Sequence, residues 1–459
     1  MTLPLRRVLV LQLRQVLTSR AATICVGIFL LAGCLGLAYG QTVIARQRAT
    51  LAAGPALERE HRTAVLTPVG PEARAGDQLY YLSFHTAHEP GAWAPFAIGL
   101  RDVQPFNIKI RMLAIHGQLY ASDLVNPLIA AAGHFDAAFV LAWLAPLLVI
   151  ALTHGLWAEE REQGTWALIR AQAPRPWRVL ALTWSLRVGI CLTASASLIA
   201  IAVAWWRLPL DERLVLVCLL TAAHVVFWGG VAVLVASFGA SSQVNALALL
   251  GLWLLVAVVG PGLVSVVASA RHALPETLEL TVQQRQGYHA AWDRPLRETL
   301  GRFVARYPAY AGVPVPTDTY SNAWYYAMQQ AGDDAAAPAA RAYVAALEAR
   351  RSWTRRAALL LPPAAFQLAV NQIARTDLDS HLAYLQSVEA YHERLKQQFL
   401  PAIFDGRAVS TVDWDQLPRH TFRDDRPPDV WMALLALVAA AAGTLAVGTW
   451  RLARATAAD

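Results

Sequence analysis

Glu159-Glu160-Arg161-Glu162-Gln163-Gly164-Thr165, running on through Trp166 to Pro174-Arg175-Pro176, is a polar turn between two apolar runs, and its reading decides the fold. Residues 136–153 before it and 179–206 after it are each long enough to cross a hydrocarbon core. A helix leaving the first run is expected to end at Gly164, the residue type that adopts the left-handed conformation at least cost. Thr165 is then placed to cap a second, short helix over 166–172, which must stop before Pro174. Pro176 suits the first turn of the next span. The expectation is a short helix lying across a membrane surface.

Composition agrees with a membrane setting. The chain has 459 residues, 56% of them hydrophobic and 15% charged, with a mean hydropathy of +0.37. That is too apolar for an ordinary soluble protein. The net charge of +7 is carried almost wholly by arginines, many of which flank apolar runs, so it reads as topology and not as a nucleic-acid surface. Cys25, Cys34, Cys191 and Cys218 all fall inside apolar runs, which leaves no disulfide framework and no CxxC metal site.

Outward from the turn, the expected architecture is mainly α: six transmembrane helices, an N-terminal interfacial helix and two extracytoplasmic insertions, the second mostly helical. Residues 1–20 carry Arg6, Arg7, Arg14 and Arg20 among Leu and Val and read as an interfacial elbow before a first span at 21–40. Leu31-Ala32-Gly33-Cys34 fits a lipobox, but apolar character continues past Cys34. Residues 41–135 form the first polar segment, where His85-x-x-His88-Glu89-Pro90 reads as an exposed loop in preference to a metal site, and Arg101-Asp102 as a local pair. The second span, 136–153, holds Pro146, and the cytoplasmic turn occupies 154–178. The third span, 179–206, holds Arg187 near its polar end, where an interfacial or partner-facing role is expected. The fourth, 214–236, places His224 near its midpoint, with Gly229-Gly230 for close helix approach. The fifth, 244–270, contains Gly260-Pro261-Gly262, the best hinge in the chain.

The longest polar segment, 271–428, reads as a second domain with one helix over 335–351 after a flexible Gly332-Asp333-Asp334 and another over 377–398 striped by Leu382, Leu385, Val388 and Leu395. His381, Glu389, His392 and Glu393 on it read as a solvated face. A sixth span at 429–450, with Gly443 and Gly448 on a small-residue face, and a tail at 451–459 complete the chain. Arginines at the elbow, the turn and the tail put both termini on the cytoplasmic side.

The sequence Glu160-Arg161-Glu162-x-Gly164-Thr165, followed by an apolar stretch, a proline and a basic residue, resembles the cytoplasmic turn of type-2 ABC exporter permeases. Pro95-Phe96-x-x-Gly99-x-Arg101-Asp102-x-x-Pro105, Asn126-Pro127 to Gly133-x-Phe135-Asp136, and Leu361-Pro362-Pro363-Ala364 to Ala374-Arg375-Thr376-Asp377 with His381, Tyr391 and Phe399 are similar to a branch with enlarged periplasmic regions. The resemblance implies a permease subunit of an ATP-driven transporter, an exporter, in a bacterial inner membrane. Its coupling residues would be Glu160, Arg161, Glu162, Gly164, Thr165, Trp166, Pro174 and Arg175, seated on a cytoplasmic ABC ATPase dimer. ATP and Mg would be bound by that partner, with no cofactor and no catalysis in this chain. The other partners implied are a second copy or a related permease, membrane lipid, and a periplasmic protein where the external regions receive one. The only lysines, Lys109 and Lys396, follow Ile108 and Leu395, so no Walker A loop is present. Two alternatives stay open: an ATPase-driven lever acting on a periplasmic partner without transport, and a membrane-embedded enzyme using His224 or the external histidines.

Overall fold

A computed structural model of the protein describes residues 5–120, 135–173, 175–274, 277–315 and 319–458. Among these, six helices are long and apolar enough to cross a membrane: Arg20–Val69, Ala137–Glu162, Trp177–Trp206, Glu212–Ala236, Ser242–Arg271 and Trp431–Ala457. An N-terminal helix, Leu5–Thr18, lies against the first and third of them.

The first helix departs most from expectation. The apolar stretch 21–40 is only the beginning of a continuous helix, Arg20–Leu66, of 47 residues and about 70 Å. The hydrocarbon core takes up about 30 Å of that length. Beyond it, Ala, Leu, Arg, Gln and Glu dominate residues 41–66, all good helix formers, and the helix runs through its one Gly54-Pro55 interruption.

The second span carries a single π-turn at Val140–Leu144, just ahead of Pro146, and the fifth carries another at Leu255–Val259, just ahead of Pro261. Each proline lacks the N–H that would serve the carbonyl four residues back, so the helix widens by one residue instead of breaking. The fourth and sixth spans cross closely: a Cβ on Gly230 would lie 2.4 Å from the Thr444 hydroxyl, and one on Gly448 2.9 Å from the Leu234 nitrogen. Gly443, by contrast, faces open space.

The two polar segments do not form separate domains. Leu79, Phe84 and Ile110 from the first pack in one core with Trp324, Tyr384 and Phe399 from the second. Extended backbone joins them too, with Arg74 bridging to Ala408 and His88 to Phe422. Past the long helix, the described residues of the first segment offer two-residue antiparallel strands, Phe84–His85 and Lys109–Ile110, and the short helices Ala75–Leu79 and His116–Tyr120. That is too little apolar surface to hold a fold, and the second segment supplies the rest. The result is a single head beside the bundle of spans.

Within the head, Gly332-Asp333-Asp334 is not a flexible break: a helix runs unbroken over Asn322–Ala358. Gly332 and Gly287 lie where this helix crosses Thr277–Trp292, and a Cβ on Gly287 would meet Ala335 at 2.4 Å. The second expected helix is Leu378–Phe404, capped by the Asp377 carboxylate accepting from Ser380 N, with its leucine and valine stripe buried. A third helix, Pro362–Ala374, belongs to the head by sequence yet buries Phe366, Ala369, Val370 and Ile373 in the core of the spans.

Candidate coupling site

The 159–172 turn is built from its glycine. Gly164 sits at φ +73°, ψ 2°, ending the helix Ala158–Glu162 and starting the helix Thr165–Gln172. Because Gly164 itself occupies the cap position, Thr165 does not cap the second helix. Its hydroxyl reaches back, donating to the Glu160 carbonyl at 3.1 Å and to the Glu160 carboxylate.

Glu159, Arg161 and Glu162 are each held by groups outside the turn, on other spans or the loop between two of them. Glu159 pairs with Arg187 of the third span at 3.2 Å, and Arg187 also donates to the Leu152 carbonyl at 2.9 Å. Arg187 is therefore engaged by the protein's own second span and the turn that follows it. Arg161 lies over the Trp157 ring at 4.8 Å and donates to the Gly239 carbonyl at 2.6 Å. The Glu162 carboxylate accepts from both the amide and the hydroxyl of Ser242, each at 2.7 Å, at the first turn of the fifth span. Two turns on the same side of the bundle are thus stitched together.

The short helix has two faces. Trp166 is buried against Leu156, Trp157, Leu180, Val233 and Leu452, packing edge-on to Trp157 at 5.9 Å. Ala167, Leu168, Arg170 and Ala171 are exposed, Leu168 to 61%. Arg175 is exposed as well. Pro174 lies outside the described residues, as do Asn126, Pro127 and Gly133.

Of the intramembrane candidates, His224 is fully buried. Its Nε2 lies 3.1 Å from the Ala142 carbonyl, and its ring stacks on Phe366 at 5.1 Å. Ala142 is the residue whose carbonyl Pro146 leaves without its helical donor. Trp253 likewise donates to the next carbonyl, Trp143, at 3.2 Å. At the expected hinge, helix continues through Gly260-Pro261-Gly262, and Leu361 of the head packs where a Cβ on Gly260 would stand.

The head residues singled out from sequence converge. The Leu100 amide donates to the Thr376 carbonyl at 2.8 Å, joining the 95–105 loop to Arg375-Thr376-Asp377. Arg101 is buried and donates to Gln47 of the first helix at 3.0 Å and to the His88 carbonyl at 2.6 Å. His88 is not on an exposed loop: it is buried, stacked on Tyr384 at 4.9 Å, with Nε2 3.3 Å from the Ser380 hydroxyl. His381 and His392 are buried too, so the solvated face expected on their helix is limited to residues such as Glu389. Burial lowers His88 and His392 to about 3 and His381 to about 4. Among the described residues no group of three or more His, Cys, Asp or Glu side chains is arranged to hold a metal ion.

Sequence reasoning missed Glu159 and Ser242. The Ser241-Ser242 pair after Gly239 signals a helix start, and Ser241 does cap it, but nothing in the sequence names a carboxylate 80 residues earlier as the second cap.

These features are those of a mainly helical protein with six helices long and apolar enough to cross a membrane and a folded polar head. Residues 278–423, most of the head's second segment, match a family model described as a domain of unknown function, DUF3526. No curated protein and no solved structure matches the chain.

Proposed function

We propose that the chain is the membrane-spanning permease subunit of an ATP-driven type-2 ABC transporter, an exporter, coupled through the 160–172 turn to a separate ATPase that binds ATP and Mg. The supporting observation is the Thr165–Gln172 helix: Trp166 anchors one face, Leu168 and Arg170 are offered on the other, and its root is tied to the third and fifth spans and to the loop before the fifth. A push on the exposed face reaches the third span through Glu159–Arg187, the loop between the fourth and fifth through Arg161–Gly239 and the fifth through Glu162–Ser242. Internal ties of this kind make the turn a rigid lever arm, as rigid-body transmission requires. The chain would act as a pair, with itself or a relative, in a bacterial inner membrane with both termini cytoplasmic. The head would then be periplasmic.

The test is co-purification with the ATPase encoded alongside. Native chain is expected to retain it under mild extraction. Leu168→Glu, which disturbs no internal contact of the turn, is expected to reduce recovery at least tenfold, as is Gly164→Pro, since proline cannot adopt a positive φ. Failure of the native chain to retain any ATPase overturns the proposal.

One observation favours a second reading, a lever that acts on a periplasmic partner without transport. The first helix passes unbroken from the membrane into the head, so motion of the span is motion of the head. Stimulation of ATPase rate by a head-binding protein with no response to any substrate would select it. The contacts of His224 with the Ala142 carbonyl and the Phe366 ring are those of a packed side chain and lend the enzyme alternative no support.

A further inference from the structure

A cleft of about 770 Å³ opens between the part of the first helix that stands clear of its apolar stretch and the extended 414–423 segment of the head. Its helical wall is patterned. Arg48, Arg59 and Arg62 line it at spacings of 11 and 14 residues, which on a helix of 3.6 residues per turn puts them within about 60° of one another over some 20 Å. The opposite wall contributes Arg419 and Arg423, and the floor between is apolar, with Leu51, Pro55, Trp414 and Leu417.

Charge in the cleft is unbalanced. Five arginines face three carboxylates, Glu58, Glu89 and Asp415. Of these, Glu58 is already used by the His85 amide at 2.8 Å, and Asp415 is 3.5 Å from Arg62. Arg423 pairs with Asp425 at 3.0 Å, and Arg59 reaches only the Pro55 carbonyl of its own helix, at 3.3 Å. Arg48 and Arg419 have no carboxylate within ion-pair distance among the described residues. Arg48 also adds to the positive field around buried Arg101, which burial first and Arg48 second bring down to about 10. The two imidazoles at the wall, His85 and His420, are both held neutral at pH 7, chiefly by burial, and supply no further charge.

The walls are fixed. Arg62 donates to the Trp414 carbonyl at 2.7 Å, the Phe422 amide to Ala87 at 2.7 Å and the Glu89 amide to Phe422 at 2.8 Å, so the cleft is held open without a ligand. Arg48 stands eight residues past Gly40, about 12 Å along the helix, just beyond the depth of lipid phosphates.

We propose that this cleft binds an anion bearing phosphate or carboxylate groups on an apolar body, clasped between Arg48 of the helix and Arg419 of the 414–423 segment. Guanidinium pairs of this kind suit planar or tetrahedral oxyanions, and the apolar floor accepts the carbon skeleton. The same chemistry is offered by an anionic lipid headgroup at the membrane surface and by a soluble phosphorylated or carboxylated molecule. The inference stands on the cleft alone and does not depend on ATPase coupling.

The experiment uses the full chain in phosphatidylcholine nanodiscs. One arm titrates phosphatidylglycerol into the discs and the other adds inorganic pyrophosphate, each followed by the thermal unfolding midpoint. A saturable rise in the first arm alone identifies a lipid headgroup, and a rise in the second identifies a soluble anion. Either is expected to weaken at least tenfold in apparent affinity in Arg48→Gln/Arg419→Gln. Neither arginine has an internal ion pair, so the unliganded midpoint of that variant should match the native one. Arg302→Gln, which removes an arginine paired with Glu298 on the head surface, should bind as the native chain does. No saturable response in either arm, or an equal response in the double variant, overturns the proposal.

Discussion

The Ala142 carbonyl shows how a proline inside a span creates a requirement elsewhere. Pro146 withholds one hydrogen bond, and His224, on another helix, supplies it from a fully buried position. His224→Ala is expected to leave that carbonyl unpaired and a void against Phe366, lowering stability by about 1–3 kcal/mol. His224→Gln, which keeps a donor, should recover part of the loss. Thermal unfolding in detergent reads both, and an unchanged midpoint for the alanine variant would refute the account. Both halves of this contact stood out in the sequence, a proline and a histidine in apolar runs. Their pairing did not, because 82 positions separate His224 from Ala142 and only the packing of the spans brings them together. Gly164 is the opposite case: a local conformational need, legible because only the residue itself decides it.

Among elements, the stitched turns and the shared head carry the clearest expectations. Glu162→Ala frees the Ser242 amide, so hydrogen exchange should rise at the first turn of the fifth span and stay unchanged in the fourth. Equal exchange in native and variant chains would mean the carboxylate does not hold the turn. Because Phe84 and Ile110 complete the core around Tyr384 and Phe399, residues 278–423 made alone should lack a cooperative thermal transition, although they coincide with a matched domain. Joining residues 41–120 to 271–430 through a linker should restore one. Helix positions were readable from apolar runs and periodicity. Two element-level features were not: the first helix outlasting its apolar stretch, since good helix formers continue without a stop signal, and Gly332 serving close helix approach, since a glycine in sequence reads equally as a break.

For the molecule as a whole, the buried histidines set a dependence on pH. Unfolded histidine titrates near 6.5, whereas His88, His381 and His392 fold with values of about 3 to 4. Below pH 6.5 the unfolded chain takes up protons that the folded head refuses. Stability is therefore full above that value and declines as pH falls toward the folded values, by about 2 kcal/mol per histidine at pH 5. Tryptophan fluorescence should report a falling unfolding midpoint between pH 7 and pH 5, with His392→Gln flattening the profile by about one such increment. A midpoint that does not move over this range would contradict the burial of these rings.

A head assembled from two distant segments also constrains how the chain is made. Residues 41–120 leave the ribosome with no core to join until the residues up to about 430 have followed, a delay of roughly 15 to 60 seconds at ordinary elongation rates. During that interval Leu79, Phe84 and Ile110 lack the side chains of the second segment that bury them, and the newborn chain is open to proteolysis there. Slow synthesis of this protein should therefore cost yield at its first segment and not at its spans.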